Sequence, residues 1–186
     1  MSASDYCSAY FSRDYFSNVM LPIEVEAGRR SVSSVVPFTQ QEDMLLLLVR
    51  GGTGTIVVNA KQYEARRGLM MCLSPFHYHM LIPDEGSSLD LWECRYTLGA
   101  SLYITACPYN ALSNLDMPYA PQSAYLTESS TRMAERLMET LESSSRRAPK
   151  ADNLPYLILI YLYGILTREK FPPATFLKPL ETPPKE

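Results

Sequence analysis

The sequence predicts a mainly β domain, a small β-barrel followed by two C-terminal α-helices. Three observations support this fold class. Short apolar or alternating segments, separated by tight glycine turns, fill residues 44–83. A stretch rich in tyrosine and proline follows up to about residue 122, which is typical of loops around a last strand. From about residue 127 the apolar residues take a helical period.

The first predicted strands lie on either side of a glycine loop. Leu45 to Arg50 is an apolar run, and Thr55 to Asn59 is rich in β-branched residues. We therefore expect the two segments to pair as a hairpin across Gly51 to Gly54. Residues 59–61 are expected to reverse the chain again.

Three more strands follow along the chain. Gln62 to Ala65 alternates between polar and apolar residues, whereas Leu69 to Leu73 is wholly apolar, which predicts burial on both of its faces. A loop at residues 74–76 then leads to His77 and His79. Because these histidines are two residues apart, a strand would direct both of them to the same face.

The helical part divides into an amphipathic helix and an apolar one. Thr127 is the expected N-cap of the first helix, whose apolar face is predicted to hold Met133, Leu137, Met138 and Leu141.

The second helix is predicted from about Asn153 to about Lys170. Its uncharged run, Leu154 to Leu166, has thirteen residues, fewer than the roughly 18 to 20 that a bilayer requires. We therefore expect this helix to be buried in protein, with partners on at least two of its faces.

Composition places the chain among ordinary globular proteins. It has 186 residues, 46% of them hydrophobic and 20% charged, with a net charge of −3, so it can bury a core and lacks the basic surface of a nucleic-acid reader. Its four cysteines are far apart and form no Cys-x-x-Cys, which favours free thiols in a cytoplasm. The N-terminus lacks the basic and apolar regions of a secretory signal. These features predict a cytoplasmic location without membrane attachment.

Three segments in order resemble the cupin barrel, and more closely the N-terminal sensor domain of AraC/XylS-type transcription regulators. They are the apolar strand and Gly-x-Gly turn from Leu47 to Gly54, the segment from Gly68 to Pro75 followed by His79, and the aromatic strand from Leu91 to Gly99. The resemblance covers about residues 20 to 171. It implies a double-stranded β-helix, or jelly roll, followed by two helices.

The resemblance also implies an organisation of the chain. Residues 1–20 would form an arm, 21–122 a ligand-binding cupin barrel, 123–171 a helical dimerisation segment, and 172–186 a proline-rich linker. DNA would be contacted only through a helix-turn-helix domain beyond this chain. The implied partners are a small-molecule effector, such as a sugar or an aromatic metabolite, and a second copy of the chain. No cofactor or metal is expected.

The resemblance selects the candidate ligand-binding residues. It directs alternate residues of the strand from Leu89 to Thr97 into the barrel, with Trp92 stacking on the effector; the alternative is that Trp92 belongs to the core. The complete predicted set is His77, His79, Trp92, Cys94 and Tyr96 in the barrel, with Tyr10 and Tyr15, beside Phe16, in an arm that closes over it. No arginine occurs around Val35 to Phe38, where many members carry one, so an acidic effector is doubtful.

The dimer seam is predicted on the second helix at Leu157, Tyr161 and Ile165, which recur every four residues. The alternative is that these residues pack only on the first helix.

Two other functions remain open from the sequence. A stand-alone metal-dependent cupin enzyme would use His77 and His79 with Glu93 or Glu85. A pure dimerisation module would have a barrel filled by its own side chains. The chain has no Gly-x-Ser-x-Gly elbow, and its glycine loop lacks the lysine of a phosphate-binding loop. We therefore expect no enzymatic activity.

Overall fold

The computed structural model describes residues 25–40, 42–75, 77–96, 121–145 and 154–170, and these ranges hold nine strands and two helices. The strands are β1 (Val25–Val32), β2 (Val36–Thr39), β3 (Met44–Gly51), β4 (Gly54–Val58), β5 (Lys61–Ala65), β6 (Leu69–Leu73), β7 (His79–Pro83), β8 (Leu89–Tyr96) and β9 (Gln122–Tyr125). The helices are α1 (Glu128–Ser145) and α2 (Leu154–Lys170).

The strands form two sheets whose pairs are antiparallel. The five-stranded sheet has the order β1-β8-β3-β6-β9, and the four-stranded sheet has the order β2-β7-β4-β5. Consecutive strands therefore often lie in different sheets, which is the connectivity of a jelly-roll barrel. Both helices follow the barrel strands. The predicted fold class, a cupin-like barrel followed by two α-helices, is confirmed.

The glycine loop after β3 moves the chain from one sheet to the other. β3 pairs with β6 and β8, whereas β4 pairs with β5 and β7. The predicted hairpin of β3 with β4 is therefore wrong. The hairpin in this region joins β4 to β5 through Asn59 and Ala60, whose φ angles of 46° and 68° are those of a type I′ turn.

The five-stranded sheet separates two apolar cores. The barrel core lies between the two sheets and includes Leu45, Leu47, Ile56, Val58, Leu69, Met71, Leu81, Leu89 and Leu91. The helix-layer core lies between the same sheet and the helices, and includes Leu46, Leu48, Met70, Cys72, Trp92, Met138, Leu141, Leu159 and Leu166. Successive residues of β6 enter alternate cores, and all five are buried, so the predicted burial of this strand on both faces is confirmed.

The helices cover the outer side of the five-stranded sheet. The Thr127 hydroxyl accepts a hydrogen bond from the Ser130 backbone N–H at 3.3 Å, which confirms the predicted N-cap. Met138 and Leu141 are buried as predicted, whereas Met133 is 53% exposed, so its place on the apolar face was wrong. Among the described residues, no helix combines the length and hydropathy needed to span a bilayer.

Candidate functional site

The two faces of β8 lead to two different environments. Leu89 and Leu91 lie in the barrel core, whereas Trp92, Cys94 and Tyr96 lie in the helix-layer core. The prediction that Trp92, Cys94 and Tyr96 point into the barrel is therefore wrong. The physical reason is the helical layer, which needs an apolar surface beneath it and takes this aromatic face of the sheet.

Because side chains alternate along a strand, Glu93 and Arg95 follow Leu91 on the barrel side. Glu93 lies opposite Leu47 on one neighbouring strand and Gly28 on the other. The barrel side of β8 thus changes from apolar to charged along its length.

Three charged side chains meet at this end of the barrel. Arg30 Nη1 donates to Glu93 Oε1 at 3.0 Å, and Arg95 Nη2 donates to Glu93 Oε2 at 3.5 Å. The Glu93 side chain is only 11% exposed, compared with 39% for Arg30 and 53% for Arg95. The buried carboxylate therefore holds two guanidinium groups that reach solvent. We call Arg30, Glu93, Arg95 and the adjacent His79 the barrel mouth.

His79 brings β7 to the barrel mouth. It is paired with Val58 of the barrel core, and its Nε2 lies 3.4 Å from Thr39 Oγ1. Its Nδ1 is buried and has no well-formed hydrogen bond among the described residues. Burial lowers the pKa of His79, opposed by the His77 backbone and the Glu93 carboxylate. The imidazole is therefore neutral around pH 7.

His77 has a different role from the one predicted for it in the barrel. Its Nδ1 accepts a hydrogen bond from the Ser74 backbone N–H at 2.8 Å, and the backbone N–H of His77 donates to the Ser74 carbonyl at 2.9 Å. The ring is fully buried and fastens the loop before β7.

The described residues contain no group of three or more His, Cys, Asp or Glu side chains that could hold a metal ion. Glu85 is exposed in the turn after β7, whereas His79 begins that strand. Glu93, the other carboxylate considered for a metal site, forms ion pairs with Arg30 and Arg95.

Of the predicted ligand residues of β8, Tyr96 instead forms a buried polar ring with Cys72 of β6 and Tyr163 of α2. The Tyr163 hydroxyl lies 2.8 Å from Cys72 Sγ and also contacts the Tyr96 hydroxyl, which is 3.5 Å from the same sulfur. Burial raises the pKa of Cys72 to about 12, and it raises the pKa of Cys94 and of Tyr163 as well. Neither thiol is therefore a nucleophile or a metal ligand near neutral pH.

Trp92 stacks against cations on the helix side of the sheet. The guanidinium of Arg29 lies 4.7 Å from the indole centroid and that of Arg50 lies 5.8 Å from it. Trp92 is 1% exposed. Its contacts therefore fit the alternative reading from the sequence, in which the indole is a core residue.

The remaining predicted residues fall into two groups. Tyr10, Tyr15 and Phe16 lie outside the described residues. On α2, Leu157 is 49% exposed and Tyr161 is 68% exposed, whereas Ile165 is partly buried against the helix-layer core.

Comparison with known proteins gives structural matches only. No family model and no curated protein sequence matches the chain. An apo variant of ToxT from Vibrio cholerae is 9% identical and covers 78% of this chain and 56% of its own, with a TM-score of 0.53. The match shows that the chain has a cupin-like fold similar to that of ToxT. ToxT is an AraC-family regulator with an N-terminal cupin-like domain. This chain spans about half of the length of the ToxT chain that it matches.

Two further matches bear on ligands and enzymes. ToxT from Vibrio cholerae O395 bound to (E)-4-(8-methylnaphthalen-1-yl)but-3-enoic acid is 9% identical, covers 80% of this chain and 56% of its own, and has a TM-score of 0.52. Salicylate 1,2-dioxygenase from Pseudoaminobacter salicylatoxidans is 17% identical but covers 44% of this chain and 24% of its own, with a TM-score of 0.37.

Sequence reasoning about this barrel missed Arg30 and Arg95. The family resemblance places an arginine near Val36, whereas the arginine that reaches the barrel mouth, Arg30, lies on β1. The argument against an acidic effector depended on the absence of an arginine near Val36. Because Arg30 supplies an arginine at the barrel mouth, that argument no longer holds. The alternation of Arg30 with Val32, which is in the barrel core, is the signal that could have identified it.

Proposed function

We propose that this chain is the effector-sensing and dimerisation domain of an AraC-type transcription regulator. The observation that carries the proposal is the barrel mouth, where Arg30 and Arg95 offer hydrogen-bond donors around a buried carboxylate, with His79 beside them, inside a cupin barrel. Such a group of converging polar side chains at the end of an apolar barrel is typical of a small-molecule site. A ToxT structure with a bound organic acid supports a small-molecule ligand for a chain of this fold.

The proposed mechanism links the two faces of β8. Glu93 and Arg95 face the barrel mouth, and the alternating residues Cys94 and Tyr96 face the helix layer. An effector that moves the first pair would shift the second pair against α2, and so change the population of two helix arrangements. DNA-binding domains beyond this chain would then be held differently. This protein would act in the cytoplasm and without catalysis.

Ligand-dependent stabilisation tests the sensing proposal. We expect the melting temperature of residues 1–186 to rise with at least one member of a panel of sugars, aromatic and aliphatic acids, and divalent metals, because a ligand of the folded state stabilises it by mass action. Arg30→Gln should weaken that binding about tenfold or more, since a hydrogen bond to a charged group is lost.

Arg29→Gln is the matched control for this experiment. Arg29 is the preceding residue on β1 but faces the helix layer, where it pairs with Glu139 at 2.9 Å. This variant should bind as the wild type does. A panel without any shift would count against a sensor, and a shift with metal alone would favour a metal-dependent cupin.

The dimerisation part of the proposal rests on α2. Leu157 and Tyr161 are large and exposed, and because they are four residues apart they lie on one face of the helix. Ile165 packs mainly on the helix-layer core, so we place the centre of the seam at Leu157 and Tyr161.

Sedimentation equilibrium tests the seam. We expect the wild type to form a dimer and Leu157→Asp to shift it to monomer, by about tenfold or more in the dissociation constant, because a charge would be buried between copies. Met133→Asp, at an equally exposed apolar residue of α1, should leave the dimer intact. A wild type that stays monomeric at high concentration would contradict the proposed seam.

A further inference from the structure

An open position lies on the barrel side of β1, at Gly28. Val32 of this strand is in the barrel core, and Arg30 reaches Glu93, so alternation places Gly28 on the same side. A Cβ added to Gly28 would meet no atom of the described residues within 4 Å. The backbone of Gly28 is not in the left-handed region, so the local conformation does not require a glycine. What the glycine provides is space.

The space over Gly28 lies within the barrel mouth. Gly28 of β1 pairs directly with Glu93 of β8. Two residues along the same two strands, and on the same face, Glu26 pairs with Arg95. Arg30 lies on the other side of Gly28 along β1 and donates to Glu93. A group placed over Gly28 would therefore lie between the two guanidinium groups.

The unused N–H donors around this space suit the oxygen atoms of an anion. A guanidinium has five N–H donors, and Arg30 and Arg95 each give one of them to Glu93 at 3.0 and 3.5 Å. Glu93 lies deeper than either arginine, and Glu26 is exposed and forms no ion pair within the described residues. The guanidinium groups thus keep donors that face solvent.

The barrel below the mouth limits the size of the ligand. Leu45 and Leu47, which pair with Arg95 and Glu93, are at most 1% exposed, as is Leu91. The interior at this level is filled by its own side chains. A ligand at the mouth therefore lies near the surface and is not drawn deep into the barrel.

We infer that a small organic acid binds over Gly28, with its carboxylate on Arg30 and Arg95. Glu93 is then a positioning residue that holds the two guanidinium groups at the right separation. His79 Nδ1, which has no well-formed hydrogen bond among the described residues, is the third polar group on the site. This inference rests on the proposed sensing function and replaces the sugar among the expected effectors.

Acids and their neutral amides separate charge from shape. The probes are acetate, butyrate and benzoate, each compared with acetamide, butyramide and benzamide at equal ionic strength, using thermal melts and heteronuclear NMR titrations of residues 1–186. We expect at least one acid to bind the wild type about tenfold or more tightly than its amide, because charge-assisted hydrogen bonds are lost in the amide.

A graded series at Gly28 tests the position. Gly28→Ala, Gly28→Val and Gly28→Leu should weaken binding of that acid progressively, by about tenfold or more for leucine, as the side chain fills the space. Gly51→Leu is the matched control, because Gly51 also lies at a strand position with open space and ordinary φ, at the far end of β3. The control should change affinity less than about twofold, as expected of a distant site.

The outcomes distinguish this inference from the proposed function. If sugars stabilise the wild type and the acids do not, sensing stands and the carboxylate site is wrong. If an acid binds equally well to the wild type and to a folded Gly28→Leu variant, the position is wrong. If no compound of either panel binds, both proposals are wrong. Arg95→Gln provides a second variant, expected to weaken acid binding even where Gly28→Leu does not fold.

Discussion

Replacing Gly52 by alanine is expected to destabilise the domain by more than about 3 kcal/mol, the range reserved for backbone strain or core defects. Two causes act together. The φ of Gly52 is +81°, which costs about 1–2 kcal/mol for a residue with a Cβ. The added Cβ would also overlap the carbonyl oxygen of Ser88. Since that oxygen belongs to the backbone just before β8, the clash is relieved only by moving the strand that carries the barrel mouth.

Three other glycines separate these causes. Gly86 has a φ of +74°, and a Cβ there would meet no atom of the described residues within 4 Å, so its alanine variant should show strain alone, about 1–2 kcal/mol. Gly54 has ordinary φ, and a Cβ there would overlap the Ile82 carbonyl oxygen, so its variant should show the clash alone. Gly51→Ala has neither defect and should change stability by less than about 1 kcal/mol.

Urea-induced unfolding, followed by circular dichroism, measures this series through midpoints at a common slope. The expected order of stability is Gly51→Ala highest, then Gly86→Ala, with Gly52→Ala lowest. A Gly52→Ala variant as stable as Gly86→Ala would show that the contact with Ser88 yields easily and that the close approach of the loop to β8 is not a constraint.

The same loop shows what the sequence could predict about the fold. Glycines between two apolar segments predict a turn, and the strands on both sides were placed correctly. A predicted turn does not determine whether the strands on either side of it pair with each other. Here β3 pairs with β6 and β8, which lie further along the chain. Local pattern therefore gave the elements, and only long-range packing determined the sheets.

The candidate site was less predictable for a related reason. Alternation along β8 correctly divides Trp92, Cys94 and Tyr96 from Glu93 and Arg95, but it does not state which set faces the barrel. Both faces of this sheet are covered, one by the second sheet and one by the helices. The aromatic face meets the larger apolar surface, so the charged face is left for the barrel mouth. His79 is on the same strand face as Leu81 of the barrel core, so it lies on the barrel side as alternation predicts, whereas its role as a ligand residue stays a prediction.

Replacing Tyr163 by alanine is the second change with a large expected effect, a loss of about 3–5 kcal/mol, as for other buried aromatic side chains. The ring is 4% exposed and packs edge to face on Tyr96, with centroids 6.1 Å apart. Its hydroxyl closes a ring of three groups with Cys72 and Tyr96. Each of the three groups has one hydrogen to donate, so all three are satisfied within the ring.

Tyr163→Phe isolates the hydroxyl from the packing. It should cost about 1–3 kcal/mol, because Cys72 and Tyr96 lose a buried partner while the volume hardly changes. Tyr161→Ala, on the exposed face of the same helix, should change the free energy of unfolding by less than about 0.5 kcal/mol when measured at concentrations where the protein is monomeric. Urea unfolding of the three variants gives the comparison.

The size of the Tyr163→Phe effect decides how α2 is attached to the barrel. If the loss is comparable to that of Tyr163→Ala, the polar ring fixes the helix at one position over Cys72 and Tyr96, and a shift of β8 at the barrel mouth must be transmitted to α2. A phenylalanine variant as stable as the wild type would mean that non-directional apolar contacts hold the helix. The helix could then slide over the sheet without following the barrel mouth, and the proposed link between effector and dimer would lose its physical basis.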